Sequence, residues 1–298
     1  MADDRSWVPE YKCCWCGSAF VQKHVDYVKA WVCPTERCYE RQIKWKIVDE
    51  GRQLFYLPMP RLVEVEEGVA SQRYGAICLG GDRSGGKSVG LRSLIYRYCR
   101  KIPNFSALLL RRNFPELELN HMRFAEREAD RIGGSWSAAK KLMTFPATGA
   151  MLQFGHCWKP KDYAAYIGGD VDLIMFGQLE QFTQKQFAEI SPSTGRIRRD
   201  NWRGLVLAEE NPGGPLSAFV SEFFIDKNPN KNDFPYYNPN DHLFIKSQLD
   251  DNPWTDPRYV NKLANLSEAR REMFRFGRRD IFEGQFFGDW NPSEHVST

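Results

Sequence analysis

With 298 residues, the chain is long enough for one large α/β domain and a small appendage, and its 42% hydrophobic and 27% charged residues are ordinary for a folded globular protein. A net charge of +3 is too small to mark a nucleic-acid binder by itself, and the basic clusters at Arg111-Arg112, at Arg196, Arg198 and Arg199, and along 270–279 read equally well as solvated helix faces. No apolar run approaches the roughly 18 residues of a membrane span, and the opening MADDRSWVPE has no charged-then-apolar leader, so no membrane partner and a cytoplasmic location are expected.

Five of the eight cysteines lie in the first 38 residues. In a reducing compartment they read as metal ligands or core residues rather than disulfides. Cys13-x-x-Cys16-Gly17 followed by Cys33 and Cys38 has the spacing of two thiolate knuckles, which predicts a structural tetrahedral Zn²⁺ site in a zinc-ribbon-like module over 1–48. Cys14 and His24 are alternative ligands. A module this small has little core, so metal would supply much of its folding free energy. The segment after it, with Asp49-Glu50-Gly51-Arg52 and Pro58-Met59-Pro60, reads as a connector.

From Tyr74 the pattern becomes strand, loop, helix, strand. Residues 74–79 (YGAICL) form a short apolar run, Leu91, Leu94, Ile95 and Tyr98 recur at helical spacing, and 107–110 (ALLL) reads as the next strand. Residues 145–157 predict a hairpin turning at Thr148-Gly149. Residues 171–176 (VDLIMF) and 205–208 (LVLA) predict buried strands. Asp256-Pro257 has the form of a helix cap followed by a first turn, and the chain reads as helical from there to about Arg279. The expected fold is an α/β P-loop NTPase of the RecA-like (ASCE) kind, with a mostly parallel central sheet flanked by helices. The core is assigned to 49–240, and a helical lid or C-terminal part to 241–298.

Between the first strand and the helix stands Gly81-Asp82-Arg83-Ser84-Gly85-Gly86-Lys87-Ser88, which satisfies G-x-x-x-x-G-K-S. Glycines let successive N–H groups converge on phosphate oxygens, and the helix adds its positive end. Lys87 is expected on the β- and γ-phosphates of ATP, the Ser88 hydroxyl on Mg²⁺, and Arg83 where charge builds on the γ-phosphate. Such a site also needs a carboxylate at the end of a neighbouring strand. After 171–176 an Asp-Glu pair is expected, but the chain has Gly177-Gln178, and Glu180 is the nearest acid and the candidate catalytic carboxylate.

The order of these motifs resembles the ATPase portion of tailed-bacteriophage terminase large subunits. The resemblance is carried by GGDRSGGKS (80–88), LLLRRNFPELE (108–118), TFPATGAMLQFGH (144–156), AYIGGDVDLIMF (165–176), ENPGGPLSAFVSEFFID (210–226), DDNPWTDPRYVNKLANL (250–266) and RRDIFEGQFFGDW (278–290). It implies a motor that couples ATP hydrolysis to translocation of double-stranded viral DNA, with Asn211-Pro212-Gly213-Gly214 as the coupling turn and 256–279 as the lid. It further implies a ring homo-oligomer, taken as pentameric, with the portal protein, the procapsid and the small terminase subunit as partners. Work would take place in the host bacterial cytoplasm, with transient docking on the procapsid. The family's nuclease domain is expected to be separate or missing, so no nuclease activity is assigned. Two other readings remain open on the sequence: a helicase- or recombinase-like DNA-dependent ATPase, and a nucleotide-binding subunit with weakened hydrolysis.

Overall fold

The structure, a computed structural model, describes residues 60–196, 199–252 and 255–279, together with 21–25, 28–32 and Thr35. Near the N-terminus, β1 (Val21–Val25) pairs antiparallel with β2 (Val28–Val32) in a two-stranded sheet. The four proposed zinc ligands, Cys13, Cys16, Cys33 and Cys38, lie outside the described residues.

The main body is built on an eight-stranded sheet. Its strands are β3 (Ala76–Gly81), β4 (Ser106–Arg111), β5 (Ser135–Ser137), β6 (Leu142–Phe145), β7 (Ala150–His156), β8 (Leu173–Gly177), β9 (Leu205–Glu210) and β10 (His242–Ser247). Their spatial order is β10-β3-β9-β8-β4-β7-β6-β5, parallel from β10 to β7 and antiparallel from β7 to β5. The central strands are buried along their whole length, which explains their unbroken apolar sequences: a parallel sheet is covered on both faces, so no alternation survives.

Each face has its own core. On one, Ile77, Leu79, Leu109, Leu205 and Leu207 pack against Leu91, Leu94 and Ile95 of helix Lys87–Lys101 and Leu62 and Val65 of helix Pro60–Ala70. On the other, Cys78, Leu110, Phe176, Val206 and Ala208 meet Phe187, Phe219, Val220 and Phe224. Much of the chain's 14% aromatic content gathers here, with Phe187 edge-on to Phe223 at 5.4 Å between ring centroids. Cys78, Cys99 and Cys157 are buried core residues, as their apolar surroundings predict.

The hairpin at 142–156 turns through Thr148, whose hydroxyl donates to the Cys99 carbonyl at 2.6 Å. Asp256 caps the next helix by accepting from Arg258 N–H at 2.8 Å. The helical run expected after it divides into Pro257–Ala264 and Glu268–Phe276. Two elements differ from the sequence reading. The end of the supposed connector is helix Pro60–Ala70, whose Leu62, Val65, Glu66 and Val69 follow helical spacing into the core. The stretch from 241 opens on β10, a sheet strand paired with β3, so the boundary at 240 falls just before the sheet's edge strand rather than at its end. Among the described residues, no helix is long and apolar enough to cross a membrane.

Candidate nucleotide site

The loop 81–86 leaves β3 at the carboxyl edge of the sheet and enters helix Lys87–Lys101 directly. Gly81 has φ +130°, and a Cβ there would stand 2.2 Å from the Ser247 carbonyl oxygen, so no other residue fits. The contact is with the end of β10, and β10 therefore braces the loop. Asp82 N–H donates to Ser247 O at 3.0 Å, Leu249 N–H donates to Asp82 Oδ2 at 3.0 Å, and Asn252 Nδ2 donates to Ser84 O at 2.6 Å. The first N–H groups of a helix have no partner within it, so helix Lys87–Lys101 presents donors and a positive dipole end at the mouth of the loop.

Lys87 is buried and folds back on the loop, its Nζ donating to Gly81 O at 3.2 Å and to the Asp82 carbonyl. Burial pulls its pKa down, while Glu209, Glu210, Glu180 and Asp82, in that order, hold it up. Burial raises the Asp82 carboxyl above its ordinary value, with the Leu249 N–H and Lys87 opposing. Arg83 is exposed, and its guanidinium lies 3.5 Å from the ring centroid of Phe274 while its N–H donates to Phe274 O at 2.9 Å. Helix Glu268–Phe276 is thereby docked on the loop.

The sequence reading of the acids was incomplete. Glu180 does reach the carboxyl edge: it is buried just beyond β8, and Leu216 N–H donates to its carbonyl at 2.9 Å, placing it against the Asn211 turn. Burial, then the charge of Glu210, pushes its carboxyl up to about 8, against the opposing pull of its own and the Asn211 backbone N–H groups. Gln178 takes a left-handed conformation at φ 56°. Its Oε1 accepts from Arg111 Nη2 and from Gln181 Nε2.

Missed entirely were Glu209 and Glu210, the last two residues of β9, 2% and 0% exposed. They point to opposite faces of the sheet. Arg111 Nη1 donates to Glu209 Oε1 at 3.0 Å, and Arg279 Nη1 donates to Glu210 Oε1 at 2.8 Å. The available signal was two acids directly following an apolar strand and preceding Asn211-Pro212. Asn211 itself follows Glu210, and its turn is closed by Ser217 Oγ, which accepts from the Gly213 and Gly214 N–H groups at 3.0 and 2.9 Å.

Of the basic cluster at Arg196, Arg198 and Arg199, Arg198 lies outside the described residues. Arg199 is bound to Asp172 at the far edge of the sheet, and Arg196 donates to the Gly169 carbonyl at 3.1 Å. Among the described residues, no group of three or more His, Cys, Asp or Glu is arranged to hold a metal. Mg²⁺ beside a nucleotide needs only one or two carboxylates, with phosphate oxygens and water completing its shell. One oxygen each of Asp82, Glu180 and Glu209 is buried without a hydrogen-bond partner, so the residues present fit such an ion.

Residues 136–279 match the family model described as phage terminase large subunit. The chain resembles that family. Solved structures with the same fold include the large terminase from a thermophilic bacteriophage in complex with ADP, 16% identical with a TM-score of 0.61 over 80% of this chain and 58% of that one. The bacteriophage HK97 large terminase matches at 11% identity and a TM-score of 0.57 over 80% and 55%, and the Thermus phage P74-26 large terminase ATPase domain at 11% and 0.52 over 82% and 98%. The chain thus spans somewhat over half the length of the first two terminases and nearly all of the P74-26 ATPase domain. No curated protein matches it.

Proposed function

We propose that this chain is the RecA-like ATPase motor domain of a phage terminase large subunit, coupling ATP hydrolysis to the movement of double-stranded viral DNA into a procapsid. The observation that carries the proposal is the phosphate loop at the carboxyl edge of the sheet, with buried Lys87 ringed by Glu209, Glu210, Glu180 and Asp82, in a chain whose 136–279 match that family. In this reading Gly81, Asp82, Ser84, Gly85 and Gly86 wrap the phosphates, Lys87 turns from its loop carbonyls to the β- and γ-phosphates, and Ser88 holds Mg²⁺. Bound Mg²⁺ would neutralise charge on the phosphate oxygens. Arg83 leaves Phe274 to meet charge on the γ-phosphate. Glu180, buried against the 211–216 turn, passes the change of charge to Asn211, and helices Pro257–Ala264 and Glu268–Phe276 serve as the lid.

The partners proposed are double-stranded DNA, the portal and procapsid, a small terminase subunit and further copies of the chain in a ring. The N-terminal module is proposed to hold Zn²⁺ through Cys13, Cys16, Cys33 and Cys38, and metal analysis of the purified chain tests this: less than about half an equivalent counts against the site. For the motor, the test is ATP turnover with duplex DNA, with single strands and without DNA. Stimulation by duplex is expected, and preference for single strands would favour the helicase-like reading instead.

A further inference from the structure

The last residues of β9 stand nearer the phosphate loop than anything on β8. In the order β3-β9-β8, β9 is the immediate neighbour of the loop's own strand, and Glu209 sits across from Leu79, two residues before the loop begins. A residue at the end of β8 is one interstrand spacing farther away, about 4.8 Å. Leu205 and Leu207 face the core under helix Lys87–Lys101, and alternation puts Glu209 on that face, the side from which Lys87 approaches.

Glu209 is held rather than merely buried. Arg111, itself 2% exposed at the end of β4, grips Oε1 through Nη1 at 3.0 Å, while its Nη2 donates to Glu116 Oε2 at 2.9 Å and to Gln178 Oε1. Oε2 of Glu209 is left buried with no hydrogen-bond partner. A buried carboxylate oxygen without a donor is unfavourable, and a water or ion that meets it relieves that cost. Gln178, the residue just past β8, is uncharged, and its Oε1 already accepts from two donors. Glu180 lies past β8 against the 211–216 turn, its carbonyl accepting from Leu216 N–H and its side chain packed on Gly214.

We propose that Glu209 is the carboxylate that orients the attacking water, the role first assigned to Glu180, and that Arg111 is its positioning residue. The inference rests on the ATPase reading above. In the step, a bond forms between the water oxygen and the γ-phosphorus. The bond from the γ-phosphorus to the β–γ bridging oxygen breaks, its electron pair leaving with ADP, and the water's proton passes to Glu209 Oε2 and then to the released phosphate.

Glu209→Gln keeps the shape and the acceptor for Arg111. It is expected to lower kcat at least about 100-fold, the scale of a lost general base, while the Kd for a fluorescent ATP analogue with Mg²⁺ stays within about threefold. Nucleotide recovered from this variant after incubation should be ATP, where wild type yields ADP. Glu180→Gln should cost less than about tenfold. In the double variant Glu209→Gln/Gln178→Glu, a carboxylate returns to the same guanidinium from the neighbouring strand, and kcat should recover at least about tenfold over the single variant. Arg111→Lys should lower kcat with KM unchanged when the rate is expressed per nucleotide site titrated with the fluorescent ATP analogue, a correction that removes any share of unfolded protein. If Glu209→Gln unfolds, Glu209→Asp takes its place, with about a tenfold loss expected. Turnover by Glu209→Gln within about threefold of wild type, or a larger loss for Glu180→Gln than for Glu209→Gln, overturns the inference. Absence of any wild-type turnover, with or without DNA, instead defeats the ATPase reading itself.

Discussion

The two edges of the central sheet treat charge in opposite ways. At the amino edge, Asp172 accepts from Arg199 Nε and Nη2 at 2.7 and 2.9 Å and from Ser106 N–H at 2.9 Å, while Arg199 also donates to the carbonyls of Pro103 and Asn104. Every oxygen of that carboxylate has a donor. At the carboxyl edge, Asp82, Glu180 and Glu209 each keep one oxygen unsatisfied. A satisfied carboxylate fastens strands together, whereas an unsatisfied one beside a phosphate loop is ready for something to arrive. Burial alone would not have told the two apart; the completeness of hydrogen bonding does.

The largest effect should come from the carboxyl edge. Lys87→Ala removes the ammonium among four acids, and ATP turnover is expected to fall by about 1,000-fold or more in a phosphate-release assay. Arg199→Ala should do the reverse: it opens a partly buried pair at a cost of about 1–3 kcal/mol, visible as a lower Tm, with nucleotide affinity unchanged. A comparable loss of affinity would show that the two edges are not separate.

A smaller effect follows from the proton on Glu180. Its folded pKa of about 8 lies above its ordinary value of 4.5, which it regains on unfolding, so between these values the folded state binds the extra proton. Stability from this group is therefore complete at low pH and falls as pH rises through that window. Glu180→Gln, which imitates the protonated form, should leave Tm unchanged near pH 5 and raise it by a few degrees near pH 9. The smallest effect concerns Arg83. Phe274→Ala removes its cation–π partner, worth about 0.5–2 kcal/mol, and should tighten binding of an ATP analogue several-fold while leaving ADP binding unchanged.

Much of the carboxyl edge was legible in the sequence because the loop and its strands are local signals: a glycine pattern at fixed offsets and unbroken apolar runs. Glu209 and Glu210 were not, because an apolar run ends at Ala208 and charge reads as the end of a strand. What keeps two acids inside the sheet is distant in sequence, Arg111 lying 98 residues from Glu209 and Arg279 lying 69 from Glu210. β10 was hidden for a related reason. As the edge strand HLFIKS it is half-buried and partly polar, and only its pairing with β3 and its contact with Gly81 reveal its part in the loop. Asp172, by contrast, opens its apolar run, and it stands at the opposite edge.

Gly80 leaves a mark that evolution would have to respect. A Cβ there would lie 2.5 Å from Glu210 Oε2 and 2.6 Å from Phe244 Cε2, so the bare backbone at 80, the acid at 210 and the ring at 244 occupy one shared volume. These positions cannot drift independently. A homologue that acquires a side chain at the place of Gly80 should have given up the acid or the ring, and chains that keep Gly-Gly where β3 meets the loop together with Glu-Glu-Asn-Pro across the end of β9 form a lineage that can be sorted by reading those two short strings alone.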